Sequence, residues 1–157
     1  MAYVVFRRGE EVLLQLRRGT GYMDGWWSTA AAGHVEAGES VEEAAAREAL
    51  EELGVVVAPA DLMPLSVMHR AQLDGTDTAR VDFFFTCTNW TGCPRVREAD
   101  KASEVGWFAI DDLPHLLVPH ERHVLERLQT GLPPIISHGF GTAGSAEPCR
   151  TDSRGQR

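Results

Sequence analysis

The stretch at 33–55, GHVEAGESVEEAAAREALEELGV, holds seven carboxylates (Glu36, Glu39, Glu42, Glu43, Glu48, Glu51, Glu52) against one basic side chain, Arg47. It is also strongly helical. Ser40 and Glu43 have the S-x-x-E spacing of a capping box. Ala44, Ala45, Ala46, Ala49 and Leu50 are good helix formers, and Gly54 suits the position just past a C-terminus. A helix over 39–53 is predicted. Helical residues i, i+3 and i+4 share a face, so Glu48, Glu51 and Glu52 present three carboxylates within one turn. Alone, that face is destabilised by repulsion between like charges. Around a hard divalent cation, the same oxygens are ligands. Arg47, four residues from both Glu43 and Glu51, relieves part of the charge. For an isolated E-x-x-E-E, a solvated acidic face is the default reading.

The flanking sequence reads as strands. Ala2–Arg8 and Glu11–Arg17 alternate around Gly9, and 19–25 (GTGYMDG) is a glycine-rich loop. WWSTAAAG leads in as a short extended piece, and Val55–Val57 return to β chemistry. A hairpin is predicted from 62–72 and 79–89 around DGTDT, with core positions for two of Phe83, Phe84 and Phe85. A short strand covers 104–110. A second helix covers 120–129, with Asp111 or Asp112 as a candidate cap, and ends before Gly131, Pro133 and Pro134. From Ser137 the chain is small, polar and poor in aliphatics, so 137–157 is expected to be a disordered tail.

With 157 residues, 43% of them hydrophobic, the chain suffices for one domain with a core. No apolar run reaches membrane-spanning length and no signal peptide is evident. Three cysteines (Cys87, Cys93, Cys149) without a CxxC pair point to a reducing, cytoplasmic setting. The net charge of −8 argues against a nucleic-acid polymer as partner. It does not exclude a single nucleotide, because a divalent cation bridges acidic protein and phosphate.

Gly33, Glu39, Arg47, Glu48, Glu51, Glu52, Gly54 and Val55 spell G-x5-E-x7-R-E-x-x-E-E-x-G-V. This resembles the signature of the Nudix hydrolases, the MutT-like family. Ala49 departs from it, standing where the pattern prefers a larger aliphatic. The resemblance extends over 1–136 and implies an α/β/α sandwich with a mixed β-sheet. It also implies hydrolysis of nucleoside diphosphates linked to a further group X, with Mg2+ or Mn2+. On this resemblance Glu48, Glu51 and Glu52 bind the metal with the Gly33 carbonyl, and Arg47 pairs with Glu39 to orient the helix. A general base comes from Glu98 or Glu104, or from Glu51 or Glu52. Arg17, Arg18 and Trp27 are candidate substrate contacts, the arginines for phosphate and the indole for a base. His120 and His123 form H-x-x-H without a third ligand and are read as surface or capping residues.

Marks of the ADP-ribose, dinucleoside polyphosphate, NADH (SQPWPxPxS) and coenzyme A subfamilies are missing. The favoured substrate is therefore a (deoxy)ribonucleoside triphosphate, cleaved to monophosphate and pyrophosphate. ADP-ribose or nucleotide-sugar hydrolysis and a non-catalytic nucleotide sensor stay open. The expected partner is a small nucleotide, neither nucleic-acid polymer nor membrane, and a homodimer stays open.

Overall fold

The computed structural model describes residues 1–71 and 78–140. Strands β1 (Ala2–Arg8) and β2 (Glu11–Arg17) pair antiparallel across Gly9, whose φ of 59° lies in the left-handed region that glycine tolerates. β3 (Trp27–Thr29) adds to β2, and β4 (Ala31–Gly33) adds to β1. After the helical segment come β5 (Met63–Ala71), β6 (Ala79–Cys87), β7 (Ala102–Ala109), α2 (Pro119–Leu125) and β8 (Ile135–His138). The sheet is mixed, in the order β3-β2-β1-β6-β5-β8, with β7 on β2 and β4 on β1. β1 runs parallel to β6, and β5 parallel to β8.

β1 is buried on both faces, and its alternation builds the sandwich. Ala2, Val4 and Phe6 join Ala44, Ala45, Ala49 and Leu53 of the helical segment in one core layer. Val5 packs toward Leu117 and Leu125, and Tyr3 toward Phe84 and Val124. Helix α1 (Val41–Glu48) therefore covers one face and α2 the other. Among the described residues no helix is long and apolar enough to cross a membrane.

The expected single helix over 39–53 is two elements. Helix α1 (Val41–Glu48) starts at the Ser40 capping box: Ser40 Oγ accepts from Glu43 N–H at 3.2 Å, and Glu43 accepts from Ser40 N–H at 2.7 Å. A π-helical turn then spans Ala49–Leu53 and closes on Gly54 in the left-handed conformation. The wider turn buries Ala49 and Leu53 while Leu50 and Glu51 face solvent. Such turns are found preferentially at functional sites.

Three other expectations are corrected. Neither Asp111 nor Asp112 caps α2; Val118 precedes it with no side-chain cap, and Pro119 supplies a preset φ. The strand expected from Glu104 begins at Ala102. The boundary expected at 136/137 falls inside β8, where Ser137 and His138 pair with His69 and Arg70. Backbone pairing on the open edge of β5 does not need apolar side chains, so composition hid this strand. The predicted turn at 74–78 lies almost wholly outside the described residues, as does the tail from 141.

Candidate active site

Arg47 is the hub of the acidic segment. Its guanidinium grips Glu39 through two bonds (3.1 and 2.8 Å) and donates to the His34 carbonyl at 3.0 Å. One terminal nitrogen also reaches Glu48 at 2.8 Å and Glu51 at 3.2 Å. Contacts to Glu39 and Glu48 strengthen its hold on its proton, and Arg47 in turn holds the Glu39 carboxyl below its usual range. The helix is thereby tied to the loop at 34–39.

Glu52 points inward from the π turn. Its Oε2 accepts the Ala32 N–H at 2.9 Å. Burial pushes its carboxyl up to about 8, with Glu48 and Glu98 adding to the shift and the Ala32 N–H opposing it. A Cβ on Gly33 would overlap the Glu48 carboxylate, so a larger residue there would displace that side chain. The end of β4 and the helix thus bring the Gly33 backbone, Glu48 and Glu52 together.

Among the described residues no three His, Cys, Asp or Glu side chains converge as a ready-made metal site, since Arg47 holds Glu48 and Glu51. The donor set nevertheless suits a hard divalent cation. It consists of carboxylate oxygens only, that of Glu52 desolvated so that a cation would favour its ionised form, with the Glu48 carboxylate lying against the bare backbone of Gly33.

Glu52 lines one end of a cavity of about 640 Å3 whose wall also carries Arg17, Arg70, Tyr3, His120 and Glu121. Arg17 braces the glycine-rich loop, donating to the Tyr22 carbonyl at 2.9 Å and to Thr20 Oγ1 at 2.8 Å. Met23 in that loop lines the cavity with a φ of 49°, a conformation rare outside glycine. Glu121 is buried, accepts the Thr29 N–H, and is pushed up to about 7 by burial. His120 lies 3.3 Å from the Tyr3 hydroxyl and is pushed down to about 3, first by burial and then by Arg70. It is a core residue of the cavity wall, contrary to the surface role expected for it, because α2 turns it toward β1. His123 is half-buried beside His138.

The other candidates divide. Glu98 stands in the electrostatic neighbourhood of Glu52, on a loop docked to the π turn by Arg97 N–H to the Glu52 carbonyl at 3.0 Å, and it pairs with Lys101 at 2.8 Å. Glu104 is exposed on β7 opposite Leu16, and the charges that act most on Glu52 are those of Glu48, Glu98 and Lys101. Arg18 is exposed and does not line the cavity. The Trp27 ring packs edge-on to Phe108, 4.6 Å between centroids, in the core layer of α2, so it is not a base-stacking surface of this cavity. Arg70, Asp82 and Glu121 went unremarked in the sequence. The available signal was a charged residue two positions from a core residue on one strand face, Arg70 after Met68 and Asp82 before Phe84.

A model of the NUDIX domain matches residues 1–128. The chain belongs to the Nudix family. It is 33% identical over 155 residues to the NAD-capped RNA hydrolase NudC of Pseudomonas aeruginosa (strain LESB58), covering 92% of this chain and 45% of that protein. The chain thus spans less than half the length of that relative. It is 28% identical to the uncharacterized Nudix hydrolase YvcI of Bacillus subtilis, covering 68% of this chain and 66% of that protein. Among solved structures, a MutT NUDIX hydrolase from Burkholderia pseudomallei superposes with a TM-score of 0.73 at 31% identity, covering 81% of this chain and 95% of that one. The α/β/α sandwich is the Nudix fold.

Proposed function

We propose that this Nudix hydrolase is a divalent-metal-dependent pyrophosphohydrolase acting on a nucleoside diphosphate linked to X. The favoured substrate is a (deoxy)ribonucleoside triphosphate, cleaved to monophosphate and pyrophosphate. The observation that carries this reading is Glu52, buried at one end of a nucleotide-sized cavity whose wall also carries Arg17 and Arg70. Mg2+ or Mn2+ would be held by Glu48, Glu51 and Glu52 with the Gly33 carbonyl; when bound it neutralises phosphate charge and acidifies a water. The chain's own residues do the rest. Arg47 fixes the helix against the loop at 34–39, and Arg17 offers a guanidinium to phosphate oxygens. Glu98 is favoured over Glu104 as general base because its loop docks on the π turn beside Glu52, whose carboxyl feels its charge.

A nucleotide panel with Mg2+, read by product mass, tests the reading. Monophosphate plus pyrophosphate from a triphosphate supports it, and turnover of ADP-ribose or a sugar nucleotide alone defeats the substrate choice. The name of the P. aeruginosa relative favours a second reading, a dinucleotide of the NAD type. Release of nicotinamide mononucleotide in the same panel identifies it. β5 reads MPLSVMHRA, without the S-Q-P-W-P run of the NADH subfamily.

A further inference from the structure

The cavity has two electrostatic ends. Glu52 feels Glu48, Glu98 and Lys101, whereas His120 and Glu121 feel Arg17 and Arg70. At the second end Arg70, with 11% of its side chain exposed, donates from Nε to Asp82 Oδ2 at 2.8 Å, and the Asp82 side chain is fully buried. A buried ion pair costs desolvation on both partners, and an apolar pair of similar volume is often as stable. The pair has a geometric use. Asp82 takes Nε and so fixes the plane of the fork, leaving the two terminal amino groups of Arg70 to the cavity it lines. The same cavity wall carries Tyr22 and Met23, flat or soft side chains suited to a planar ring, while the Tyr3 ring is stacked on Phe84 beneath it. A fixed guanidinium fork matches two adjacent acceptors. A 6-keto purine presents an oxygen beside a ring nitrogen there; a 6-amino purine presents a donor beside that nitrogen.

Resting on the nucleotide reading above, we propose that Arg70, positioned by Asp82, reads the purine edge of the substrate and selects 6-keto over 6-amino purine nucleotides. With the phosphates held between Glu52 and Arg17, the base occupies the end where Asp82 holds Arg70.

The test has two arms on the full chain. Steady-state hydrolysis of GTP, ITP and ATP with Mg2+ is compared in wild type, Arg70→Lys and Asp82→Asn. Calorimetry then compares GMP and AMP binding to the metal-free proteins. Wild type is expected to favour GTP and ITP over ATP in kcat/KM by roughly tenfold or more, the worth of a good bidentate contact. Arg70→Lys keeps the charge and loses the fork, so the ratio falls toward one, mainly through KM; Asp82→Asn lowers it in the same direction. Thermal melts report folding, and Arg70→Gln replaces Asp82→Asn if that variant does not fold. A wild type without purine preference overturns the proposal. So does an Arg70→Lys variant that weakens GTP and ATP equally, which would make Arg70 a phosphate or structural residue. If triphosphates are not hydrolysed but GMP binds at least tenfold tighter than AMP in wild type and not in Arg70→Lys, the base subsite stands and the assigned reaction falls.

Discussion

Glu52 and Glu48 divide the work of the acidic face by depth. Glu52 is buried against Ala32, while Glu48 touches both Arg47 and the bare backbone of Gly33. Glu52→Gln and Glu48→Gln should each cut turnover by about a hundredfold or more, the scale of losing a key electrostatic group, with the fold kept. Since the Glu52 pKa is raised from 4.5 to about 8, the protonated carboxyl is the stable buried form and stability is lost as pH rises through 8. Metal-free Glu52→Gln should therefore melt higher than wild type above pH 8, and wild type alone should gain stability with Mg2+. Unchanged turnover and an unchanged Mg2+ response would remove Glu52 from the site. The cavity wall has a second pH signature. His120 is lowered from 6.5 to about 3, so it stabilises the fold above pH 6.5, and this is lost as pH falls toward 3. Glu121, raised from 4.5 to about 7, works in the other direction: its contribution is complete below pH 4.5 and lost as pH rises through 7. Melting curves of wild type, His120→Gln and Glu121→Gln from pH 3 to 8 should separate the two windows.

At the scale of elements, the helical segment is anchored at both ends by local chemistry. The Ser40–Glu43 box satisfies N–H groups at the start, and Gly54 closes the π turn through left-handed φ. Ser40→Ala should cost about 1 kcal/mol, the usual worth of such a cap. That corresponds to roughly 2–4 °C in Tm for a domain near this size, measured by calorimetry. Turnover at a temperature well below melting should stay near wild type, because the hub at Arg47 lies two turns away and keeps its own partners. A loss of turnover without a loss of Tm would mean that the cap also sets the carboxylate geometry.

Over the whole molecule, the sheet edge decides where the domain ends. β8 lies parallel to β5 through four register pairs, buries Ile136, and sets His138 beside the cavity. Deleting 141–157, a segment poor in aliphatics, should leave Tm and turnover unchanged. Deleting 137–157 also removes two of the four pairs and the His138 wall, and should lower Tm and raise KM. Equal behaviour of the two truncations in melts and kinetics would show that Ser137 and His138 contribute nothing.

Much of the molecule was legible in the chain itself. The first two strands, the capping box, the Gly54 stop and the Arg47–Glu39 pairing follow from residues close in sequence, whose propensities and spacings act locally. So did the family, because its signature lies within one strand–loop–helix stretch. The π turn, the edge strand β8, the burial of His120, the packing of Trp27 on Phe108, and the Arg70–Asp82 pair were decided only by tertiary packing. Each depends on which face of an element meets another element far along the chain. A single charged residue in a strand or an H-x-x-H on a helix looks alike in sequence whether it ends in solvent or in a core. Desolvation and partner geometry, which exist only once the layers close, turn the same residues into a cavity wall.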